Sequence, residues 1–140
     1  MTQEDKDLLL KDICARLPYE VKVCCNNTVY NIDAYTKSAF MLAEPLKPDV
    51  CLVAHIEGIK PYLFRMPSMT DEQKEELQKL RWNFDGDDIS NSESYYSEHT
   101  DYVTHFECYS LIDWLNKNHF DYRGLIPMGL AIDATGLNIY

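Results

Sequence analysis

The 140 residues are 46% apolar and carry a formal net charge of −10 at pH 7. A chain of this size can bury a core without disulfides or metal, so we expect one domain spanning residues 1–140. The acidic excess argues against direct nucleic-acid binding, because affinity for a phosphate backbone comes mainly from Lys and Arg. The opening MTQEDKDLLLKD lacks the features of a signal peptide, and no apolar stretch approaches the roughly 18 residues of a membrane span. We therefore expect a cytoplasmic protein that has no membrane partner.

The five cysteines are odd in number, which does not favour a disulfide framework. In a strand, the adjacent Cys24 and Cys25 would point to opposite faces. We predict reduced thiols that mostly act as small core residues. The full set is Cys14, Cys24, Cys25, Cys51 and Cys108.

The first half of the chain predicts one helix followed by a small sheet. Thr2 and Asp5 resemble a capping box, and the apolar spacing that follows indicates a helix from about Gln3 to Arg16 that ends before Pro18. Between residues 19 and 57, YEVKVCC, TVYNIDAYT, SAFMLAE and DVCLVAHIE each indicate a strand. The Asn pair at positions 26 and 27 predicts a hairpin turn. DVCLVAHIE is apolar on both faces, which predicts a central strand.

The second half predicts two more helices and a returning strand. IKPYLFRMPSM contains two prolines and should pack across the sheet without forming a long element. Thr70 and Gln73 form a capping box for the helix DEQKEELQKLRW, and Thr104 with Glu107 resembles another for a helix that ends near His119. At least one apolar run of GLIPMGLAIDATGLNIY should rejoin the sheet. The fold class predicted is α+β: a small antiparallel sheet or half barrel flanked by about three helices, with the C-terminal strand pairing back.

Three separated motifs carry a family resemblance. They are LPYEVKV, IKPYLFRMPSMTDEQ and NHFDYRGLIPMGLAID, found in this order. With these motifs the chain resembles a family of small proteins encoded by gut anaerobic bacteria and their phages. The resemblance implies a phage, prophage or mobile-element setting. It transfers no catalytic residue, because the family carries no established activity.

An acidic segment covers about residues 83–103, and we expect it to be flexible. From Trp82 to Asn116 there is no Lys or Arg, while eight Asp and Glu residues are present. Aromatic residues between the carboxylates could anchor a partner within the negative field. The segment predicts a surface that binds a host or phage protein with a basic face. Its candidate residues are Phe84, Asp85, Asp87, Asp88, Tyr95, Tyr96, Glu98, Asp101 and Tyr102.

The best alternative is a metal site in HTDYVTHFEC. In an extended strand, His99, Asp101, His105 and Glu107 would share one face, and this ligand set suits zinc or a similar ion. The capping signature at Thr104 instead starts a helix within this stretch, which would separate His105 from Glu107. The leading hypothesis is therefore a non-enzymatic interaction module without a cofactor, and the rival is a small metal-dependent enzyme. A third hypothesis is a structural homo-oligomer whose contact involves exposed Tyr and Leu near the C-terminus.

The stretch after the third helix is also polar, with His119, Asp121, Tyr122 and Arg123 in five positions. Side chains that follow a helix end diverge, which argues against convergence on one substrate. Arg123 could instead bind a carboxylate or the last carbonyls of the helix, while Asp121 and His119 hydrogen-bond the helix end. Tyr122 offers a ring to the core and a hydroxyl to a buried carbonyl. We predict a structural corner and no catalytic residue.

Overall fold

The computed structural model describes residues 1–36, 39–85 and 109–140. Within these ranges, three helices and six strands form the predicted α+β fold. The helices are α1 (Gln3–Arg16), α2 (Asp71–Asp85) and α3 (Tyr109–Lys117). The strands are β1 (Lys22–Cys25), β2 (Thr28–Thr36), β3 (Ala39–Glu44), β4 (Lys47–His55), β5 (Lys60–Leu63) and β6 (Ile132–Asp133).

The sheet is open, with strand order β4-β3-β2-β1-β5-β6. The first four pairings are antiparallel, and β6 pairs with β5 in parallel. The predicted return of the C-terminal strand is therefore confirmed. IKPYLFRMPSM differs from the expectation, because its first part does not cross the sheet but joins it as β5, where Pro61 lies opposite Val23.

A tight turn joins β1 and β2. Asn26 and Asn27 have φ values of 50° and 61°, and Cys25 pairs with Thr28 on either side of them. Positive φ at both central residues is the type I′ geometry that matches the twist of paired strands, and Asn tolerates it well. The predicted hairpin is confirmed.

The predicted central position of β4 is wrong, because β4 forms one edge of the sheet. Leu52 and Ala54 contribute to the core, but Cys51 is exposed and Val53 is 63% exposed. The two apolar faces of β4 therefore do not reflect burial on both sides. Pro48 fits the edge position, since proline has no N–H to donate to a neighbouring strand.

Both capping boxes that fall within the described ranges are confirmed. The Thr2 N–H donates to the Asp5 carboxylate over 2.9 Å, and the Asp5 N–H donates to Thr2 Oγ1 over 3.1 Å. The corresponding distances for Thr70 and Gln73 are 2.9 and 3.2 Å. The third capping signature, Thr104 and Glu107, lies outside the described residues.

Two hydrophobic cores hold these elements together. The first lies between α1 and the sheet and includes Leu9, Ile13, Val23, Phe40, Leu42 and Leu63. The second joins α2 and α3 and includes Met66, Leu77, Leu111, Trp114, Leu115 and Phe120. No helix in the described ranges is long and apolar enough to cross a membrane.

The cysteines differ in part from the prediction. The four described cysteines are free thiols, but only Cys25 is buried, while Cys24 is half-buried and both Cys14 and Cys51 are exposed. The predicted core role is therefore wrong for Cys14 and Cys51, which lie on the outward faces of α1 and of the sheet edge. Cys108 lies outside the described residues.

Candidate functional site

The two site predictions for the middle of the chain lie mostly outside the described residues. The backbones of Phe84 and Asp85 belong to the last turn of α2. The rest of the predicted partner-binding set and the whole predicted metal set are not described: Asp87, Asp88, Tyr95, Tyr96, Glu98, His99, Asp101, Tyr102, His105 and Glu107. Both sites stay predictions. Elsewhere, in the part that is described, no cluster of three His, Cys, Asp or Glu side chains could hold a metal ion.

The corner after α3 is described completely, and its backbone explains why the chain turns there. His119 has φ 61° and donates its N–H to the carbonyl of Asn116 over 3.1 Å, while Phe120 donates to the carbonyl of Leu115 over 3.0 Å. This pair of bonds around a left-handed residue is a Schellman motif. Its hydrophobic contact is present as well, because the rings of Trp114 and Phe120 stack with centroids 5.7 Å apart. His119 therefore ends the helix in a position that more often holds Gly.

The corner is also joined to the end of β5 through the backbone. Phe64 donates its N–H to the carbonyl of His119, and Asp121 donates its N–H to the carbonyl of Phe64, each over 2.8 Å. These two bonds form a parallel bridge between Phe64 and Phe120. The exit from α3 is thereby fixed against the sheet.

The side chain of Asp121 holds the turn that follows and does not bond the helix end, in contrast to our expectation. It is fully buried and accepts hydrogen bonds from the N–H groups of Leu125 and Ile126, each over 2.8 Å. Burial raises the pKa of Asp121, while the two backbone donors act in the opposite direction. The carboxylate thus satisfies two amides that would otherwise lie unpaired.

The helix end is bonded instead by Arg16 at the end of α1. Its Nη2 donates to the carbonyl of Phe120 over 2.7 Å, and its Nη1 lies 3.5 Å from the carbonyl of Leu115. The guanidinium also binds both carboxylate oxygens of Asp12, at 2.8 and 2.9 Å. Sequence reasoning missed Asp12 and Arg16. The available signal was that Arg16 follows Leu9 by seven residues, and so shares the apolar face of α1.

Arg123 completes the network from the other side. Its Nε donates to Asp12 Oδ1 over 3.1 Å, and its Nη2 donates to the Tyr122 hydroxyl over 2.8 Å. The Tyr122 hydroxyl in turn donates to the side-chain oxygen of Asn116 over 2.9 Å. One buried carboxylate is therefore shared by two arginines, and Arg123 binds a carboxylate as the sequence suggested.

The aromatic ring of Tyr140 packs on the other face of the corner. It stacks on the His119 ring with centroids 3.7 Å apart, and the Tyr140 hydroxyl accepts from the Lys22 N–H and donates to the carbonyl of Tyr62. Burial raises the pKa of Tyr140 to about 12. Burial, together with the charges of Arg16 and Lys22, lowers the pKa of His119 to about 4. His119 Nδ1 is buried without a hydrogen-bond partner.

The corner is therefore built as a joint between α1, α3 and the sheet. Asp12, Arg16 and Asp121 are inaccessible to solvent, and their polar atoms bind one another or nearby backbone groups. Arg123 is the most accessible member of the ion network, and its side chain is only 17% exposed. A substrate would have to displace these internal bonds to reach the charged groups, so the geometry favours a structural role.

Comparisons with protein-family models, with curated proteins and with solved structures gave no match for this chain.

Proposed function

We propose that the protein is a non-enzymatic interaction module of a phage, prophage or other mobile element. It binds a host or phage protein through the acidic, aromatic segment at residues 84–102. The observation that carries this proposal is the charge of the chain between two anchored helices. Between the end of α2 and the start of α3, residues 86–108 contain six carboxylates and no Lys or Arg.

The described residues at both ends of the segment support a fixed attachment. Leu77 of α2 belongs to the same buried cluster as Leu111 and Leu115 of α3. The segment therefore leaves from one helix and returns to another helix of the same core. A chain that is held at both ends loses less entropy on binding a partner than a free tail of the same length.

The charge of the segment indicates the kind of partner. Complementary potentials accelerate encounter and disfavour partners of like charge. A protein surface rich in Lys and Arg is the fitting target, and Tyr side chains can add contact area with little loss of conformational freedom. The buried Asp12–Arg16 network supports a non-enzymatic role. Its carboxylate and guanidinium groups already bind each other and a backbone carbonyl, and so are not available to a substrate.

The test is affinity capture from the native host with matched charge variants. One variant replaces Asp85, Asp87, Asp88, Glu98 and Asp101 with their amides. The control variant makes the same five changes at exposed positions on α1 and α2, namely Glu4, Asp7, Glu72, Glu75 and Glu76. Both variants have the same net charge, so a difference in partner binding between them shows that the position of the carboxylates matters.

We expect the segment variant to lose affinity for the captured partner by about tenfold or more, which corresponds to about 1.4 kcal/mol. The control variant should bind as the wild type does. Added salt should weaken wild-type binding more than binding by the segment variant. Equal partner recovery by all three proteins would contradict the proposal.

A further inference from the structure

The segment that follows β6 turns back across the sheet. Ala134 donates its N–H to the carbonyl of Leu63 over 2.8 Å, which fixes the start of this segment to β5. Gly136 and Asn138 then have φ values of 77° and 51°, in the left-handed region that these two residue types tolerate. The backbone is thereby redirected, and Tyr140 reaches β1 on the other side of β5.

This strap, residues 136–140, is held to the sheet through its last two residues, while its first three are exposed. Lys22 of β1 makes both contacts: its Nζ donates to the carbonyl of Ile139 over 2.9 Å, and its N–H donates to the Tyr140 hydroxyl over 3.1 Å. The same hydroxyl donates to the carbonyl of Tyr62 in β5 over 2.9 Å. Loss of these three bonds would free the strap as far as its turn.

The strap covers His119. The Tyr140 ring stacks on the imidazole with centroids 3.7 Å apart, and it also contacts the Phe64 ring, with centroids 5.9 Å apart. Tyr140 itself is 40% exposed, whereas His119 beneath it is only 8% exposed. Tyr140 lies outside both hydrophobic cores. Lifting the strap would therefore bring water to the imidazole while the cores stay closed.

The closed strap leaves the imidazole in a place that disfavours a proton. His119 Nδ1 is buried without a hydrogen-bond partner. The charges that act on the ring are those of Arg16 on α1 and Lys22 on β1, and both are cations. Lys22 Nζ also lies 5.8 Å from the centroid of the Tyr140 ring, so the face of that ring already has one cation near it. An imidazolium would add a third positive charge to this cluster.

The other titratable groups of the corner do not offset this charge. Burial raises the pKa of both Tyr62 and Tyr140 to about 12, so these phenols stay neutral at physiological pH. The Asp12 carboxylate is shared by the two arginines. The Asp121 carboxylate accepts from two backbone amides. Neither carboxylate is free to pair with an imidazolium.

We propose that the strap is a proton-sensitive device: protonation of His119 releases Ile139 and Tyr140 from β1 and β5 while both hydrophobic cores stay folded. Under the closed strap, the imidazolium would face two cations and its Nδ1–H would lack an acceptor. Release brings water to the ring, which solvates the charge and supplies the acceptor. The proton thus shifts the equilibrium towards the open state, because that state binds it more tightly.

The size of the effect follows from the affinity of the two states for the proton. Under the closed strap, burial and the charges of Arg16 and Lys22 lower the pKa of His119 to about 4. Once hydrated, the imidazole should return to its usual pKa of about 6.5. By linkage, the ratio of open to closed protein should then rise about twentyfold between pH 7 and pH 5.

The Lys22 amide reports the state of the strap directly, because its N–H is bonded to the Tyr140 hydroxyl. The experiment is amide hydrogen exchange of the full chain at pH 7, 6 and 5, each with and without urea below the unfolding transition. Protection is the exchange rate of an unstructured peptide at the same pH divided by the measured rate. The Ala134 amide is the control, because its bond to Leu63 precedes the strap.

We expect protection of the Lys22 amide to fall about twentyfold from pH 7 to pH 5 and to be insensitive to urea, as in local opening. The Ala134 amide should stay better protected than Lys22 at every pH. His119→Asn keeps the left-handed backbone without the titrating group, so protection of Lys22 should no longer depend on pH. His55→Asn, at an exposed position, should keep the wild-type dependence.

Protection of the wild-type Lys22 amide that does not change with pH overturns the proposal, and this result needs no variant. Exchange that urea accelerates equally at Lys22 and Ala134 also overturns it, because the whole protein would then be opening. The same holds for a pH dependence that survives in His119→Asn or disappears in His55→Asn.

Discussion

The Asp12 carboxylate and the Arg16 guanidinium form a bidentate ion pair one turn apart on α1, and neither side chain is exposed to solvent. The same guanidinium donates to the carbonyl of Phe120, which is 104 residues further along the chain. The ion pair is thus also the contact through which α1 binds the exit of α3. Because the pair is buried, removing either side chain would leave the other as an unpaired charge in the interior, which would destabilise the fold.

Arg16→Met should therefore lower the free energy of unfolding by about 3 kcal/mol. The substitution leaves the carbonyl of Phe120 without its donor and leaves the buried Asp12 carboxylate with Arg123 alone. Urea unfolding at pH 7 measures the change. Lys11→Met on the same helix is the control, because Lys11 is exposed and should change stability little. Equal losses in the two variants would show that the pair does not hold α1 to the corner.

Asp121→Ala should cost about 1–3 kcal/mol, because it removes the acceptor of the buried Leu125 amide and of the partly buried Ile126 amide. Arg123→Ala should cost less, about 1 kcal/mol, since Arg123 is partly exposed and Asp12 keeps its bonds to Arg16. Thermal and urea unfolding give the order, with the exposed Asp7→Ala as the control. If the Asp121 and Arg123 variants keep wild-type stability but lose partner binding, the two residues belong to a functional site and do not stabilise the fold.

Local signals in the sequence predicted the helix starts. Each capping box depends on residues three positions apart, and the Thr2 and Thr70 boxes have the expected reciprocal bonds. The Asn26-Asn27 turn depends on backbone preferences of the same two residues. In these cases all the interacting groups lie within one short window of sequence, so the physical cause can be recognised there.

Strand order could not be predicted in the same way. An apolar strand can be buried on both faces or can expose one, and the sequence of β4 does not distinguish these cases. The exposed Val53 shows that the second applies. The deciding factor is which strands lie beside it, and that is set by the whole sheet.

The buried ion pair was missed for a related reason. Asp12 and Arg16 have the spacing of an ordinary surface pair on a helix. Their burial depends on the carbonyl groups of Leu115 and Phe120, about a hundred residues away, as well as on Arg123. Sequence reasoning found the polar corner itself but could not identify the helix that packs against it.

His119 should make stability depend on pH between about 4 and 6.5. Burial, Arg16 and Lys22 lower its pKa to about 4 in the folded protein, against about 6.5 in the unfolded chain. The unfolded chain therefore binds the proton more tightly, and stability falls as the pH is lowered from about 6.5 to about 4. Across this pH range the free energy of unfolding should fall by about 3 kcal/mol.

The measurement is the urea-unfolding free energy across this pH range for the wild type and for His119→Asn. Asn accepts the left-handed backbone of this position but does not titrate there. It should lower stability at neutral pH through the lost stacking on Tyr140, and it should flatten the slope between pH 4 and 6.5. His55→Asn, at an exposed position, is the matched control for losing one histidine. Identical slopes in all three proteins would mean that burial of His119 does not govern the acid side of the stability profile.

The predicted metal set separates the proposed interaction module from the rival enzyme. We expect untagged protein, purified without chelators, to contain no stoichiometric zinc, manganese or iron, because a helix that starts at Thr104 would separate His105 from Glu107. His99→Ala combined with His105→Ala should leave metal content, melting temperature and partner capture unchanged, as should the control His55→Ala. Elemental analysis and thermal unfolding with and without EDTA test this. One equivalent of bound metal that is lost only in the double variant would favour the enzyme over the interaction module.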